Sequence, residues 1–259
     1  MKFSVITCTY NSAKYLQENI DSVEAQTYED FEHIFIDGFS TDGTMAIIET
    51  YQQKHPDRVK VFQSEPRGIS HAMNEGIKRS AGEYLIHLHS DDSFYDDHVL
   101  RKVDDFIKKN HEPLWLYGKA RVVNVANKKT TIIPPRRYFY DKSRFWLLLL
   151  VSNYIPHQSV FIKKQIFEKY GYFDETLKNY MDLDLWLKLT QKNVHAKFIN
   201  EIICNFSIRE DAQSTIGRAN TENVILYERY VKNRFVRKFL ILFTTLYKFL
   251  LYKISLYKV

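Results

Sequence analysis

Gly82-Glu-Tyr-Leu-Ile-His-Leu-His-Ser-Asp-Asp92 is an apolar run that ends in two adjacent carboxylates. Residues 84–89 have the length and composition of a buried strand, and Asp91 and Asp92 stand just past its end. The pattern repeats towards the N-terminus. Residues 3–10 read as a first strand and 12–26 as a helix, with Tyr15, Leu16, Ile20 and Val23 at helical spacing. Residues 31–36 and 59–62 read as strands, and 43–54, 69–80 and 96–109 as helices. This β-α-β-α-β-α-β order predicts an α/β fold with a mixed, mainly parallel sheet and helices on both faces. Such sheets bind ligands at the carboxyl ends of their strands. Tyr10, Asp37, Asp91 and Asp92 all fall there.

Beyond residue 113 the pattern changes. Residues 115–125 and 130–133 read as a hairpin turning at Asn127-Lys-Lys129, and Pro134-Pro135 ends it. The apolar run within 143–152 falls short of the roughly 20 residues that span a bilayer. It reads either as a buried helix or as a wall facing an acceptor lipid or a membrane. From about Thr221 the pattern is helical again. Arg234, Arg237, Lys238, Thr245 and Lys248 form one stripe, and Phe235, Phe239, Leu242, Phe243, Leu246, Phe249 and Leu250 cover the other side.

The charge is unevenly spread. Arg229–Val259 holds eight Lys or Arg and no acid, leaving 29 basic and 31 acidic residues in the first 228. A near-neutral body with a basic tail rich in Phe, Leu and Tyr argues against a nucleic-acid partner. It points to an anionic membrane surface, bound through residues 234–259 by a helix lying in the interface. The alternative is a helix packed on the body or on a second subunit. The two cysteines, Cys8 and Cys204, make neither a disulfide framework nor a metal-ligand spacing, which predicts a reducing compartment. The opening Met1-Lys-Phe has no signal-peptide pattern. The expected location is therefore cytoplasmic, peripheral on the inner face of the plasma membrane.

Two carboxylates at a strand end are hard oxygen donors, suited to Mg2+ or Mn2+. His87 and His89, two apart on the same strand, offer a zinc-like pair as an alternative, but the Asp pair suits a harder ion. Neither a Gly-x-Gly-x-x-Gly nor a Gly-rich loop follows the first strand, which sets aside a dinucleotide oxidoreductase and a sugar-phosphate nucleotidyltransferase.

Four further stretches carry a family resemblance: Ser4-Val-Ile-Thr-Cys-Thr-Tyr-Asn11, Asp37-Gly-Phe-Ser-Thr-Asp-Gly43, Glu65-Pro-Arg-Gly-Ile-Ser-His-Ala-Met-Asn-Glu-Gly76 and Tyr180-Met-Asp-Leu-Asp-Leu-Trp-Leu-Lys-Leu189. Together with Asp91-Asp92 they resemble the family 2 glycosyltransferases, inverting enzymes with a GT-A fold. The resemblance covers roughly residues 1–215. It implies a GT-A domain with a nucleotide-binding half (about 1–112) and an acceptor half (about 113–215), followed by a basic amphipathic tail at 216–259.

The resemblance also implies roles. Cys8, Thr9, Tyr10 and Asn11 would form the loop against the nucleotide base, and Asp37 would accept a hydrogen bond from that base. Asp42 reads as turn and cap chemistry before Gly43. Arg67 would pair with Asp37 or the diphosphate, or stand solvated on the surface. His71 stands where many relatives have Asp. Asp92 would contact the metal, and Asp91 the ribose or the metal shell. Pro156-His157-Gln158 matches a His-Gln that precedes a strand in relatives. His157 would contact the diphosphate or metal, or make a structural hydrogen bond. Asp182 would be the catalytic base, tuned by burial against the helix dipole, with an N-cap as its alternative. Asp184 would line the acceptor or hold the loop.

The function expected is transfer of a sugar from a nucleotide-diphosphate sugar to a glycan or polyprenyl-linked glycan acceptor in bacterial surface-polysaccharide synthesis. The rival is a catalytically silent, membrane-associated nucleotide-sugar binding or scaffold protein.

Overall fold

The computed structural model describes residues 1–124, 128–133, 149–150, 153–208 and 219–244. In chain order its elements are β1 (Phe3–Thr9), α1 (Leu16–Glu24), β2 (Phe31–Asp37), α2 (Thr44–Lys54), β3 (Val59–Gln63), α3 (Ile69–Arg79), β4 (Tyr84–His87), β5 (Ser93–Phe94), α4 (Val99–Lys109), β6 (Trp115–Asn124) and β7 (Thr130–Ile133). There follow a 3-10 turn (His157–Ser159), β8 (Val160–Lys163), α5 (Gln165–Tyr170), α6 (Met181–Gln191), β9 (Lys197–Ile208) and α7 (Ala219–Tyr230). Residues 234–244 form a further helix.

One sheet runs β3-β2-β1-β4-β8-β6-β9-β5, with β7 added on β6. β3, β2, β1 and β4 are parallel, and β8 reverses against β4. The sheet is therefore mixed, and parallel throughout the half that carries the N-terminal motifs.

Every residue of β1, β2 and β4 is buried. A strand buried on both faces reads as a continuous apolar run, and its alternation decides only which layer each side chain joins. Ile6, Cys8, Ile34, Ile36 and Leu85 face the layer of α3 and α6. Phe3, Val5, Phe31, Ile86 and Leu88 face the layer of α4, joined by Val23 of α1. Phe35 meets Leu16 and Ile20 of α1 and Ile48 of α2.

β6 and β7 pair as the expected hairpin, Val123 opposite Thr130. β5 and β9 were not expected. β9 is long, its apolar run is broken by Asn200 and Glu201, and it pairs parallel to β6 through a register irregularity, so it lacks a clean alternation. Residue 127 of the hairpin turn, Pro134-Pro135, most of the 143–152 run and residues 245–259 lie outside the described residues. Within that run, Leu149 and Leu150 are helical and buried.

The boundary expected at 215/216 lies outside the described residues. Leu226, Tyr227, Tyr230, Val231 and Leu240 belong to the same core cluster as α6. The Tyr227 hydroxyl donates to Leu150 O at 2.8 Å.

Gly82 shows how tightly β4 enters the sheet. A Cβ there would lie 2.5 Å from the Ser4 nitrogen and 2.6 Å from the Phe3 carbonyl carbon, and backbone cannot swing aside as a side-chain tip can. Gly82→Ala is expected to destabilise the fold by about 1–3 kcal/mol through overpacking, read as a lower denaturant midpoint with an unchanged m-value. Ala81→Ser, one position away, serves as the control.

Candidate active site

The loops after β1 and β2 are stitched together by side chains. Thr9 Oγ1 donates to Asp37 Oδ1 at 2.8 Å. Ser40 donates to the same carboxylate twice, from its hydroxyl at 2.6 Å and from its backbone N–H at 2.8 Å. The Asn11 amide donates to Ser40 Oγ, and Asn11 Oδ1 accepts from Thr41 N–H. Asp42 accepts from the backbone N–H groups of Ala13 and Thr44. The Thr44 hydroxyl bonds to it as well and lowers its pKa. Asp42 thus does the turn chemistry expected of it.

Asp37 is fully buried, with its carboxylate engaged by Thr9 and Ser40, so it sets the spacing of the two loops. What the pair presents to solvent is Tyr10, 58% exposed, Phe39, 48% exposed, and Asn11. Gly38 lets the Tyr10 ring lie close, since a Cβ there would be 3.0 Å from it. Cys8 does not join this surface. It alternates into the core beside Ile6 and Ile36, and burial pushes its thiol up to about 12. Arg67 is exposed on the loop before α3. His71 contacts Glu175 at 3.0 Å and Ser64 at 3.3 Å, a tie between α3 and the segment before α6.

Asn19, a residue the sequence reading passed over, shapes the end of β4. It is fully buried on α1, and its amide donates to His89 O at 2.9 Å and Asp92 O at 3.0 Å. A polar residue on the apolar stripe of Leu16, Ile20 and Val23 was the available signal. Asp92 is 2% exposed, and its Oδ1 accepts the Ser207 N–H of β9 at 3.0 Å. Asp91 is the more exposed carboxylate. Ser90 Oγ donates to Ser12 Oγ at 3.1 Å, which joins this turn to the loop after β1.

His89 and His157 face one another. Their Nε2 atoms are 2.6 Å apart, so one nitrogen carries the proton and the other accepts it. Burial lowers both pKa values, and both rings are neutral. His157 Nδ1 lies 3.8 Å from Asp182 Oδ2. When His157 accepts at Nε2, its own proton sits on Nδ1, the atom near Asp182. His87 is separate. It packs on Phe173 and contacts Met73 O, which leaves no His87–His89 chelate. Gln158 is buried beside His157.

Asp182 is the second residue of α6 and 5% exposed. The N-cap position is Tyr180, so the cap alternative for Asp182 is not realised. Its Oδ2 accepts Asn153 Nδ2–H at 2.9 Å, and its Oδ1 accepts the Leu183 N–H at 2.6 Å. Asn153 was also missed, because its stretch carries no pattern of its own. Burial raises the Asp182 pKa to about 6, outweighing these hydrogen bonds. α6 is held on the sheet by Trp186, stacked on Trp115 at 4.7 Å between ring centroids. The Trp115 indole donates to Val194 O at 3.1 Å.

Asp184 does not line the site. Two residues along a helix turn the side chain about 200°, which sends it away from Asp182. It accepts Arg229 and the Tyr230 hydroxyl, each at 2.8 Å, and is 2% exposed.

Among the described residues, no three His, Cys, Asp or Glu side chains form a group able to hold a metal ion. Asp91 and Asp92 supply two hard oxygen donors at one strand end. That fits an ion which keeps waters and takes phosphate oxygens for the rest of its shell, as Mg2+ does.

The chain is similar to proteins of known family. The description "Glycosyl transferase family 2" matches residues 4–171. An uncharacterised glycosyltransferase of Rickettsia typhi is 31% identical over 213 residues, 82% of this chain and 65% of the relative. A second, from Rickettsia bellii, is 34% identical over 72% of this chain and 27% of its own length. The chain thus spans less than two thirds of these relatives. A PGL/p-HBAD biosynthesis glycosyltransferase of Mycobacterium tuberculosis is 31% identical over 70% of this chain and 67% of that protein. Among solved structures, S. aureus TarS 1-349 in complex with UDP-GlcNAc matches with TM-score 0.67 and 21% identity, covering 93% of this chain and 70% of that one. The mannosyltransferase PcManGT from Pyrobaculum calidifontis, in complex with GDP-Man and Mn2+, matches with TM-score 0.64 and 19% identity over 90% and 64%. The fold is GT-A. With its motifs on one edge of that sheet and the family description matching residues 4–171, this chain belongs to glycosyl transferase family 2.

Proposed function

We propose that this chain is an inverting glycosyltransferase that moves a sugar from a nucleoside-diphosphate sugar to a hydroxyl of a glycan acceptor, with Asp182 as the base. One observation carries the reading. A buried carboxylate with its pKa raised to about 6 is linked through His157 and His89 to the acidic end of β4. A general base works best with a pKa near the working pH. A silent binding or scaffold protein gains nothing from a carboxylate so tuned.

The exposed Tyr10 and Phe39 rings offer a stacking surface for the nucleotide base, and Asn11 a polar contact beside them. Asp182 takes the proton of the acceptor hydroxyl as that oxygen attacks the anomeric carbon. The bond from that carbon to the diphosphate oxygen breaks on the opposite face, and the configuration inverts. Because His157 and His89 are neutral, no imidazolium beside Asp182 pulls its pKa down. Mg2+ or Mn2+ held by Asp91 and Asp92 would offset the charge gathering on the departing diphosphate.

The acceptor in this reading is a polyprenyl-linked glycan of a bacterial surface polysaccharide, met at the inner face of the plasma membrane. The 234–244 helix supports the location. Phe235 (84% exposed), Phe239, Leu242 and Phe243 stand on its outer side, with Arg234 and Lys238 exposed among them. Leu240 and Thr244 are buried on its inner side. The helix packs on the body and also shows an apolar, cationic face, so the two alternatives drawn from the sequence are not exclusive. No helix among the described residues is long and apolar enough to cross a membrane. An interfacial surface needs no such helix.

Three outcomes follow. Asp182→Asn should lower kcat by about 10²–10⁴-fold with donor KM nearly unchanged, measured as nucleotide release across a panel of nucleotide sugars with a lipid-linked acceptor. The parent's kcat should rise through pH about 6, since the base works only when ionised and burial delays that ionisation. A donor affinity that collapses while turnover persists would remove Asp182 from the role.

Chelator should abolish turnover and Mn2+ restore it. Asp91→Asn should do the same with the melting temperature kept. Asp92→Asn should cost stability as well, because it loses its charge-assisted bond to Ser207. Full turnover in excess chelator would end the metal role.

Phe235→Ser with Phe239→Ser should lower binding to anionic vesicles by roughly 100-fold or more, from about 1.5–3 kcal/mol per apolar side chain. Arg234→Glu with Lys238→Glu should weaken binding to phosphatidylglycerol vesicles more than to phosphatidylcholine ones. Deleting residues 234–259 should lower the melting temperature, because Leu240 and Thr244 leave the core. Unchanged cosedimentation of all three proteins would overturn the membrane surface.

A further inference from the structure

The segment that enters α6 has no side-chain cap of its own. A helix start leaves several backbone N–H groups without intrahelical partners. Here Glu222 of α7 supplies the acceptor for the approach to that helix. Its Oε1 accepts the Lys178 N–H at 2.9 Å, and its Oε2 accepts those of Asn179 at 2.9 Å and Tyr180 at 3.0 Å. Glu222 is 8% exposed. Three charge-assisted bonds, from N–H groups two to four residues before Asp182, converge on one buried carboxylate.

The same helix grips α6 again about two turns further on. Arg229 bridges Asp184 at 2.8 Å and Asp174 at 2.7 Å, and the Tyr230 hydroxyl donates to Asp184 O at 3.0 Å. α7 thus holds both sides of the first turn that carries Asp182. The Trp186–Trp115 stack fixes the middle of α6.

We propose that Glu222 is a positioning residue for the base: it fixes the backbone into α6 and so the place of the Asp182 carboxylate. This inference rests on the reading of Asp182 as the base. Glu222 also acts through its charge. The groups around Asp182 are Asn153, His157, Tyr180 and Glu222. Asn153 favours the ionised form, the imidazole is neutral, and the Glu222 charge disfavours a second anion nearby. Burial is the largest cause of the raised pKa, and Glu222 adds to it in the same direction.

The test uses the full chain with Glu222→Gln and Glu222→Asp. Carbon-13 carboxyl titration, with the Asp182 signal assigned by Asp182→Asn, follows the base directly. Hydrogen exchange of the amides of residues 178–180 follows the backbone. Nucleotide release from UDP-N-acetylglucosamine and GDP-mannose follows turnover. In Glu222→Gln the Asp182 titration should move to lower pH, exchange at 178–180 should be about tenfold faster or more, and UDP and GDP affinity should stay within about twofold. The acid limb of any turnover should move down with the titration. Glu222→Asp keeps the charge, so its titration should stay near the parent's.

A Glu222→Gln protein with the parent's titration and exchange overturns the proposal. Loss of nucleotide binding in both variants also overturns it, since it marks a general loss of fold. Turnover that survives Asp182→Asn removes the base assignment itself. An inactive Asp182→Asn beside a parent-like Glu222→Gln removes only the role of Glu222.

Discussion

The parallel pairing of β1 between β2 and β4 is the constraint on which the rest depends. Phe3 lies opposite both Phe31 and Tyr84, and Thr9 lies opposite Asp37. Three parallel strands in register run towards the same side of the sheet, so the loops that follow them meet at one edge. Because helices cover both faces, every side chain of these strands is buried, and only residues past the strand ends can reach a ligand. That is why Cys8 is lost to the core while Tyr10, two residues later, is largely exposed. Gly82 lets β4 approach Phe3 and Ser4 closely enough for this register to form.

Burial governs the chemistry as it governs the fold. A carboxylate in the first turn of a helix feels the dipole, which favours its ionised form. Desolvation opposes that and wins at Asp182. The same desolvation keeps His89 and His157 neutral although they stand near Asp91 and Asp182. The enclosure comes from packing far from these side chains. The Trp115–Trp186 stack seats α6 on β6, and β6 is tied to β1 through β8 and β4.

The C-terminal segment belongs to the site as much as to the surface. α7 contributes Glu222 and Arg229 to the walls around α6, while the helix that follows turns Phe235, Phe239 and Leu242 outward. One stretch thus supports the first turn of α6 on its inner side and offers an apolar, cationic face on its outer side. A basic tail with a broad apolar stripe carries both possibilities in its composition. Only the burial of Leu240 and Thr244 assigns a side to each.

The β-α alternation up to residue 109, the carboxyl-end placement of Tyr10, Asp37 and Asp91-Asp92, and a helix starting close to Asp182 were legible in the sequence. Each is local, since strand and helix periodicity and turn chemistry are carried by neighbouring residues. The family motifs added Asp182 and His157 as candidates. The tertiary structure decided what local signals cannot hold. It separated Asp182 from Asp184, because a helix turns two neighbours to different faces. It closed Asp37 between Thr9 and Ser40, and brought His89 against His157 across 68 positions of sequence. It also recruited Asn19, Asn153 and Glu222, single polar residues whose partners are distant in the chain. Their work depends on which backbone groups are left unsatisfied when the elements pack, and that need does not exist until the fold is made.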